Sequence, residues 1–340
     1  MSHKVKIERC PIGLILITLL SVYSCNNKDT PSVPSNLSDF DKRLWNLNQE
    51  IQAAGKKDGQ FIERGSFFLE HEKYEEAILD FTHAWKLDSS HPEALHKLSA
   101  AYLAYFRSYE ALQVLKEAGE RFPNSAETMR QLAKLQLILK QYEDGFKTLE
   151  KARKIGEGMP ETAFLTGIFF KETGDTARAI NSLQEAIEGD PDIEDAWMVL
   201  GQLQEAKGHS IAGKYYESAL QRNPENKQAL LAKANFLARN DDLLEALQIF
   251  KKMQQLDPLN ADPFFNAGLI YLDLDSIKQA SIDFRKAVSL NPLLVEGQYY
   301  CGLSAEWSGD FRSARSFYQT ALRLAPDYQD PREGLIRINK

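Results

Sequence analysis

Cysteine is nearly missing from this chain. Only three of its 340 residues are cysteine, with Cys10 and Cys25 close to the N-terminus and Cys301 alone in the body, so no disulfide framework can be built. Long apolar runs are missing too. None reaches the ~20 residues that a bilayer-spanning helix needs. No dense block of lysine and arginine occurs in the body, and 41 basic residues stand against 48 acidic ones. A nucleic-acid partner, whose phosphates call for a basic stripe, is therefore not expected. What remains, 43% hydrophobic and 26% charged residues, is the make-up of a chain that can bury a core.

The first residues read as an address. Lys4, Lys6 and Arg9 precede a short apolar core from Pro11 to Leu20, and Ser21-Val22-Tyr23-Ser24 then leads to Cys25. That order predicts a secretory signal peptide over residues 1–24. A cysteine directly after such a core resembles the lipobox of bacterial lipoproteins. The resemblance implies cleavage before Cys25, acylation of its thiol and new N-terminus, and anchorage in the bacterial outer membrane facing the periplasm. Several acyl chains, at ~0.8 kcal/mol per buried CH₂, would hold the protein there stably. An ordinary signal peptide with an incidental cysteine is the alternative reading. Beyond Cys25, the polar, Pro- and Ser-containing stretch to Ser38 predicts a flexible tether over residues 25–38.

The body repeats. Steps of 34 residues from Gly65, with one step of 33, reach Ser99, Ala133, Gly167, Gly201, Ala234, Gly268 and Gly302, all small. A second small column runs Ala77, Ala111, Gly145, Ala179, Ala212, Ala246, Ala280, Ala314. A third runs from Ala84 to Ala321 with only Met253 breaking it. In phase with these stands a large column: Phe81, Leu115, Leu149, Leu183, Tyr216, Phe250, Phe284, Tyr318. Small residues at fixed spacing let helix backbones approach, and the large residue fills the hole beside the crossing.

This pattern resembles the tetratricopeptide repeat, a 34-residue helix–turn–helix unit. The resemblance implies an all-α, right-handed α-solenoid with eight repeats over residues 58–328. The short step is placed in the turn Gly208–Ile211. Gly174-Asp175 and Gly309-Asp310 are expected to turn between the two helices of their repeats, and Asp190-Pro191, Asn223-Pro224, Asp257-Pro258 and Asn291-Pro292 to end second helices. Capping helices are expected over 39–57, opened by Ser38, and over 329–340, with Asp330 as N-cap and Glu333 closing a capping box.

No catalytic constellation accompanies the repeats. Four of the six histidines fall between His71 and His96, but none are paired at helical spacing, and no HExxH or phosphate-cradling glycine run occurs. Cys301, in a buried column, reads as an inert core thiol. No enzyme activity, metal or cofactor is expected. In the family, first helices line a concave groove. Mapped here, that groove holds Arg130, Lys134, Phe164, Ile168, Phe265, Leu269, Tyr299, Tyr300 and Trp307, with polar members of both signs, Glu93, Glu161, Asp195, Asp262 and Glu296 against Arg130, Lys134 and Arg239. The carboxylate clamp of chaperone-binding members is not reproduced, since Ile168 stands where an asparagine is needed. Two functions are expected. One is a membrane-anchored scaffold or adaptor that seats a protein or peptide segment in the groove. The other is a glycan-binding lipoprotein whose aromatics stack on sugar rings.

Overall fold

The computed structural model describes residues 37–339 apart from residues 54 and 56. The expected signal peptide, Cys25 and nearly all of the tether lie outside the described residues. Within them the chain forms eighteen helices and no strand, and no helix is long and apolar enough to cross a membrane.

Helix α1 (Asp39–Ala53) precedes eight helix pairs. These are α2 (Asp58–Glu70) with α3 (Tyr74–Leu87), α4 (Glu93–Ala104) with α5 (Ser108–Arg121), α6 (Ala126–Ile138) with α7 (Tyr142–Ile155), and α8 (Met159–Glu172) with α9 (Thr176–Gly189). The series continues with α10 (Glu194–Ala206) and α11 (Ala212–Arg222), α12 (Lys227–Arg239) and α13 (Leu243–Leu256), α14 (Asp262–Asp273) and α15 (Ile277–Leu290), and α16 (Val295–Trp307) and α17 (Phe311–Leu324). Helix α18 (Gln329–Arg337) closes the array. Each helix packs on its sequence neighbours, and the first helices of successive repeats also touch (α2 on α4, α6 on α8, α10 on α12). The first helices therefore share the inner side of the curve. The one-residue deletion of the fifth repeat lies in the connection Gly208–Ile211, as expected, and that connection lengthens at the expense of the first turn of α11, 11 residues long where the other second helices have 14.

The columns have a direct geometric cause. The large residue of each second helix lies against the small residue of its own first helix. A Cβ on Gly201 would sit 2.4 Å from the Tyr216 ring, and on Gly302, 2.6 Å from the Tyr318 ring. Phe81, Phe284, Tyr216 and Tyr318 are fully buried on these glycine faces, each worth ~1.5–3 kcal/mol of apolar burial. Two of these tyrosines also tie repeats together. Tyr216 Oη donates to Glu205 at 2.6 Å, and Glu205 accepts from Arg239 of the next repeat. Tyr318 Oη donates to Glu306 at 2.5 Å, and Arg337 of α18 grips the same carboxylate at 2.8 and 3.0 Å.

All eight intra-repeat turns close in one way. The N–H of a left-handed residue bonds back three residues, and the next N–H bonds back five, as in Phe106 to Leu103 (3.0 Å) and Arg107 to Tyr102 (2.8 Å). Glycine fills the left-handed site at 174, 208 and 309; Glu72, Phe106, Lys140, Asp241 and Asp275 fill it elsewhere at φ between 53° and 68°. The backbone bonds, rather than glycine, define the turn. Phe106 is the costliest occupant, a bulky residue in the left-handed region with 93% of its surface exposed.

At the C-terminal cap the expected N-cap is corrected. Helix α18 starts at Gln329 with Tyr328 as its N-cap, and Asp330 and Pro331 lie inside the first turn. Proline is tolerated there because first-turn N–H groups have no intrahelical partner. At the other end Ser38 Oγ accepts the Asp41 N–H at 3.1 Å, as expected, and Leu47 and Ile51 bury the inner face of α1.

Two stability measurements follow. A side chain at Gly167 would meet Leu183 Cγ at 2.7 Å and the Ala179 carbonyl at 3.2 Å. Gly167→Leu should therefore cost at least ~1–3 kcal/mol in denaturant unfolding, whereas Lys147→Leu on the exposed face of α7 should change it by no more than ~1 kcal/mol. Phe106→Gly should stabilise by about 1 kcal/mol through relief of left-handed strain, while Phe106→Ala, which keeps that strain, should not.

Candidate partner-binding groove

The inner face divides into a polar N-terminal part and an aromatic C-terminal part. In the polar part, Ser125 caps α6 by accepting the Thr128 N–H at 3.2 Å. The Thr128 hydroxyl donates to Ser125 Oγ at 2.9 Å, and His96 Nε2 lies 2.9 Å from Thr128 Oγ1. With the Thr128 proton already directed to Ser125, His96 serves as the donor through its Nε2–H. Burial lowers the His96 pKa, and the carboxylates of Glu127 and Glu93 oppose that shift without cancelling it.

Arg130 departs from its expected role. It is buried, donating to Glu127 Oε2 at 3.1 and 2.8 Å and to the carbonyls of Glu157 (2.9 Å) and Gly158 (3.2 Å) across the repeat boundary. The space for its guanidinium exists because residue 158 is glycine; a Cβ there would lie 2.4 Å from Arg130 Nη1. Arg130 thus locks the third repeat to the fourth and does not face a partner. Arg239 differs: it pairs with Glu205 across a repeat boundary but stays exposed. Lys134 remains exposed on α6. Of the three cations expected in the groove, Arg130 is thus withdrawn into the fold, while Lys134 and Arg239 stay exposed.

Phe164 and Ile168 of α8 are half-buried, and Phe164 packs against the core around Leu183 and Leu200. Three repeats further on, Phe265, Leu269 and Tyr300 pack against Phe284 and Cys301. Tyr300 stacks on Phe284 with centroids 5.2 Å apart, Phe265 meets Tyr300 edge-on at 5.8 Å, and Tyr299 meets Tyr300 at 5.0 Å. Phe164, Phe265, Tyr299 and Tyr300 are each half-buried, with one side on the core. Trp307 is the freest of the set, with 53% of its surface exposed. Sequence reading missed Tyr328, whose ring lies 5.6 Å from Tyr299. It belongs to the connection before α18, outside the register that points into the groove.

Cys301 is buried, and burial pushes its thiol up to about 12, so it stays protonated near neutrality and is no nucleophile. Among the described residues no group of three His, Cys, Asp or Glu side chains is placed to hold a metal ion.

This architecture is that of a helix-pair solenoid with an open inner face. Profiles of the tetratricopeptide repeat match residues 170–209, 209–261 and 261–292. Tetratricopeptide repeats are thus detected over residues 170–292, and the helix pairs before and after that span have the same build. The chain is 25% identical over 225 residues to anaphase-promoting complex subunit 7 of Arabidopsis thaliana, covering 64% of this chain and 39% of that one. It is 26% identical over 196 residues to the human protein O-mannosyl-transferase TMTC1, covering 56% of this chain and 22% of that one. It thus spans well under half the length of either relative. The C-terminal part of a repeat-containing protein from Cytophaga hutchinsonii shares the fold, with a TM-score of 0.60 at 17% identity over 71% of this chain and 99% of that one.

The half-buried His96 gives the array a pH signature. Its pKa is lower folded than the unfolded value near 6.5, so the folded state binds fewer protons below that pH and loses stability as pH falls through it. Thermal melts at about pH 7.5 and 5.5 should show a smaller acid-side drop in His96→Gln than in the parent.

Proposed function

We propose that the protein is a non-enzymatic scaffold that seats a segment of a partner protein in its inner groove, held at the bacterial outer membrane by a lipidated Cys25 and facing the periplasm. The observation that carries the groove reading is the inner face of α16. There Trp307 is largely exposed and Tyr299 and Tyr300, half-buried, keep partial access. Exposed aromatic surface at a concave site marks a binding face, and tyrosine and tryptophan are the side chains that most often dominate such contacts. The signal peptide and the Cys25 lipobox support the anchoring. Repeat proteins of this class present extended concave surfaces of this kind.

The glycan reading has less support. A sugar ring needs an open aromatic face, yet one face of Tyr300 is covered by Phe284, and Tyr299 is enclosed by Tyr300, Tyr318 and Tyr328. Only Trp307 remains as a platform.

Photocrosslinking in cells separates the groove from the outer face. A benzophenone side chain at Trp307 should give a discrete protein adduct, and one at Leu79, exposed on the second helix α3, should not. The same adduct from both sites, or from Leu79 alone, would refute the groove. For the anchor, Cys25→Ala should move the protein from the membrane pellet to the soluble fraction; an unchanged distribution would refute lipidation.

A further inference from the structure

The two first helices that end the array share a charge pattern that among the other first helices only α10 shows. Helices α14 and α16 contain no lysine or arginine and carry Asp262, Asp273, Glu296 and Glu306. Their outer partners α15 and α17 carry Lys278, Arg285, Lys286, Arg312, Arg315 and Arg323. Charge is thus sorted across each pair, with anions toward the groove and cations away from it. Of the inner carboxylates, Glu306 is neutralised by Arg337. Asp273, Glu296 and Asp330 are exposed, and none takes part in an ion pair among the described residues.

These three carboxylates gather on the aromatic cluster. Glu296, Tyr300, Leu303 and Trp307 follow at i, i+4, i+7 and i+11, so they form one stripe along α16. Asp273 ends α14 and Asp330 opens α18, one on each side of that stripe. Burial raises the Tyr300 pKa first, and the negative charges of Asp330, Asp273 and Glu296 raise it further, with no cation acting against them. Burial likewise brings Tyr328 to about 12, with Asp330 and Glu296 adding to it. The hydroxyls of Tyr299, Tyr300 and Tyr328 have no hydrogen-bond partner among the described residues, whereas those of Tyr216 and Tyr318 are held by glutamates.

We propose that this end of the groove, where Phe265, Tyr299 and Tyr300 meet Asp273, Glu296 and Asp330, docks a lysine- or arginine-bearing segment of the partner protein. A cationic side chain fits each feature of the site. Its apolar stem lies along aromatic carbon, its N–H groups donate to carboxylate and unoccupied tyrosine oxygens, and its charge meets an uncompensated negative field. An anionic or purely apolar segment would leave those three carboxylates unpaired beside it. The inference rests on the reading that the groove seats a protein, and it specifies that protein's chemistry.

Titration calorimetry on the purified full chain tests it with three capped hexapeptides in which leucine alternates with lysine, glutamate or serine. The lysine peptide should bind and the glutamate peptide should not, with binding weakening as NaCl rises from about 0.05 to 0.5 M. Glu296→Gln with Asp330→Asn should weaken the lysine peptide by about tenfold at unchanged melting temperature. Glu188→Gln with Glu245→Gln, which removes the same charge from second helices, should leave binding intact. Equal binding of the lysine and glutamate peptides, no binding of the lysine peptide, or equal loss in both double variants would overturn the site. So would self-association in sedimentation that the Glu296/Asp330 variant abolishes, because the occupant would then be the basic outer face of a second copy. A Trp307 adduct found together with any of these failures would leave the groove reading standing and remove only its cationic partner.

Discussion

Everything in this molecule depends on a single contact made eight times, the large side chain of a second helix lying on a nearly bare stretch of the first. At Gly65, Gly201, Gly268 and Gly302 the ring sits closer than any β-carbon would allow. That contact fixes how near the two helices come, and through it the angle at which the next pair stacks. A solenoid repeat touches only its neighbours, so the array has no central core to average out a poor fit. The period survives in the sequence because an error at one crossing would be passed along the stack as a change of curvature. Where glycine is absent the partner is often smaller, as with Ser99 opposite Leu115 and Ala133 opposite Leu149. The match in volume is loose, since Ala234 shares a core with Phe250 and Gly167 faces a leucine, Leu183.

This explains which features could be read from the chain and which could not. The helix pairs were legible because residues such as Gly167 and Leu183 stand at a constant separation inside one unit. The turn was only partly legible. Gly174 and Gly309 announced it, but Phe106 and Asp275 adopt the same left-handed geometry, imposed by two backbone hydrogen bonds that ask nothing of the side chain. Arg130 was misplaced for the opposite reason. Its register points toward the groove, and its true destination depends on the absence of a side chain at Gly158 in the following connection. Asp330 was read as a cap from its local motif, yet α18 starts earlier and leaves that carboxylate outside the backbone's hydrogen-bonding scheme.

The candidate groove was legible as a set of positions but not as a surface. Position along a helix tells which side chains share a face; it does not tell which of them a neighbour has already engaged. Packing across repeat boundaries makes that selection. It removes Arg130 from the charge available to a partner, covers one face of Tyr300 with Phe284, and brings in Tyr328 from the connection before α18.

The same selection accounts for the asymmetry between the two ends of the groove. In the N-terminal part, buried polar groups such as Thr128 and Arg130 must be satisfied within the fold, since an unpaired buried donor costs ~1–3 kcal/mol, and their hydrogen bonds close the groove floor. At the C-terminal end, the array must instead stop. Tyr318 and Arg337 share Glu306, and Gly334 brings α18 down onto the Tyr318 ring, so the capping helix is held by groups beneath and beside the inner face rather than on it. Because the cap is secured there, and by Tyr299 packed on the same ring, Tyr300 and the carboxylates around it are not needed to terminate the solenoid. In a stack whose couplings reach only to the next repeat, surplus groups of this kind can accumulate at an end without disturbing the crossings further in. The end of a capped solenoid is therefore the least constrained place in the array for a recognition surface to form.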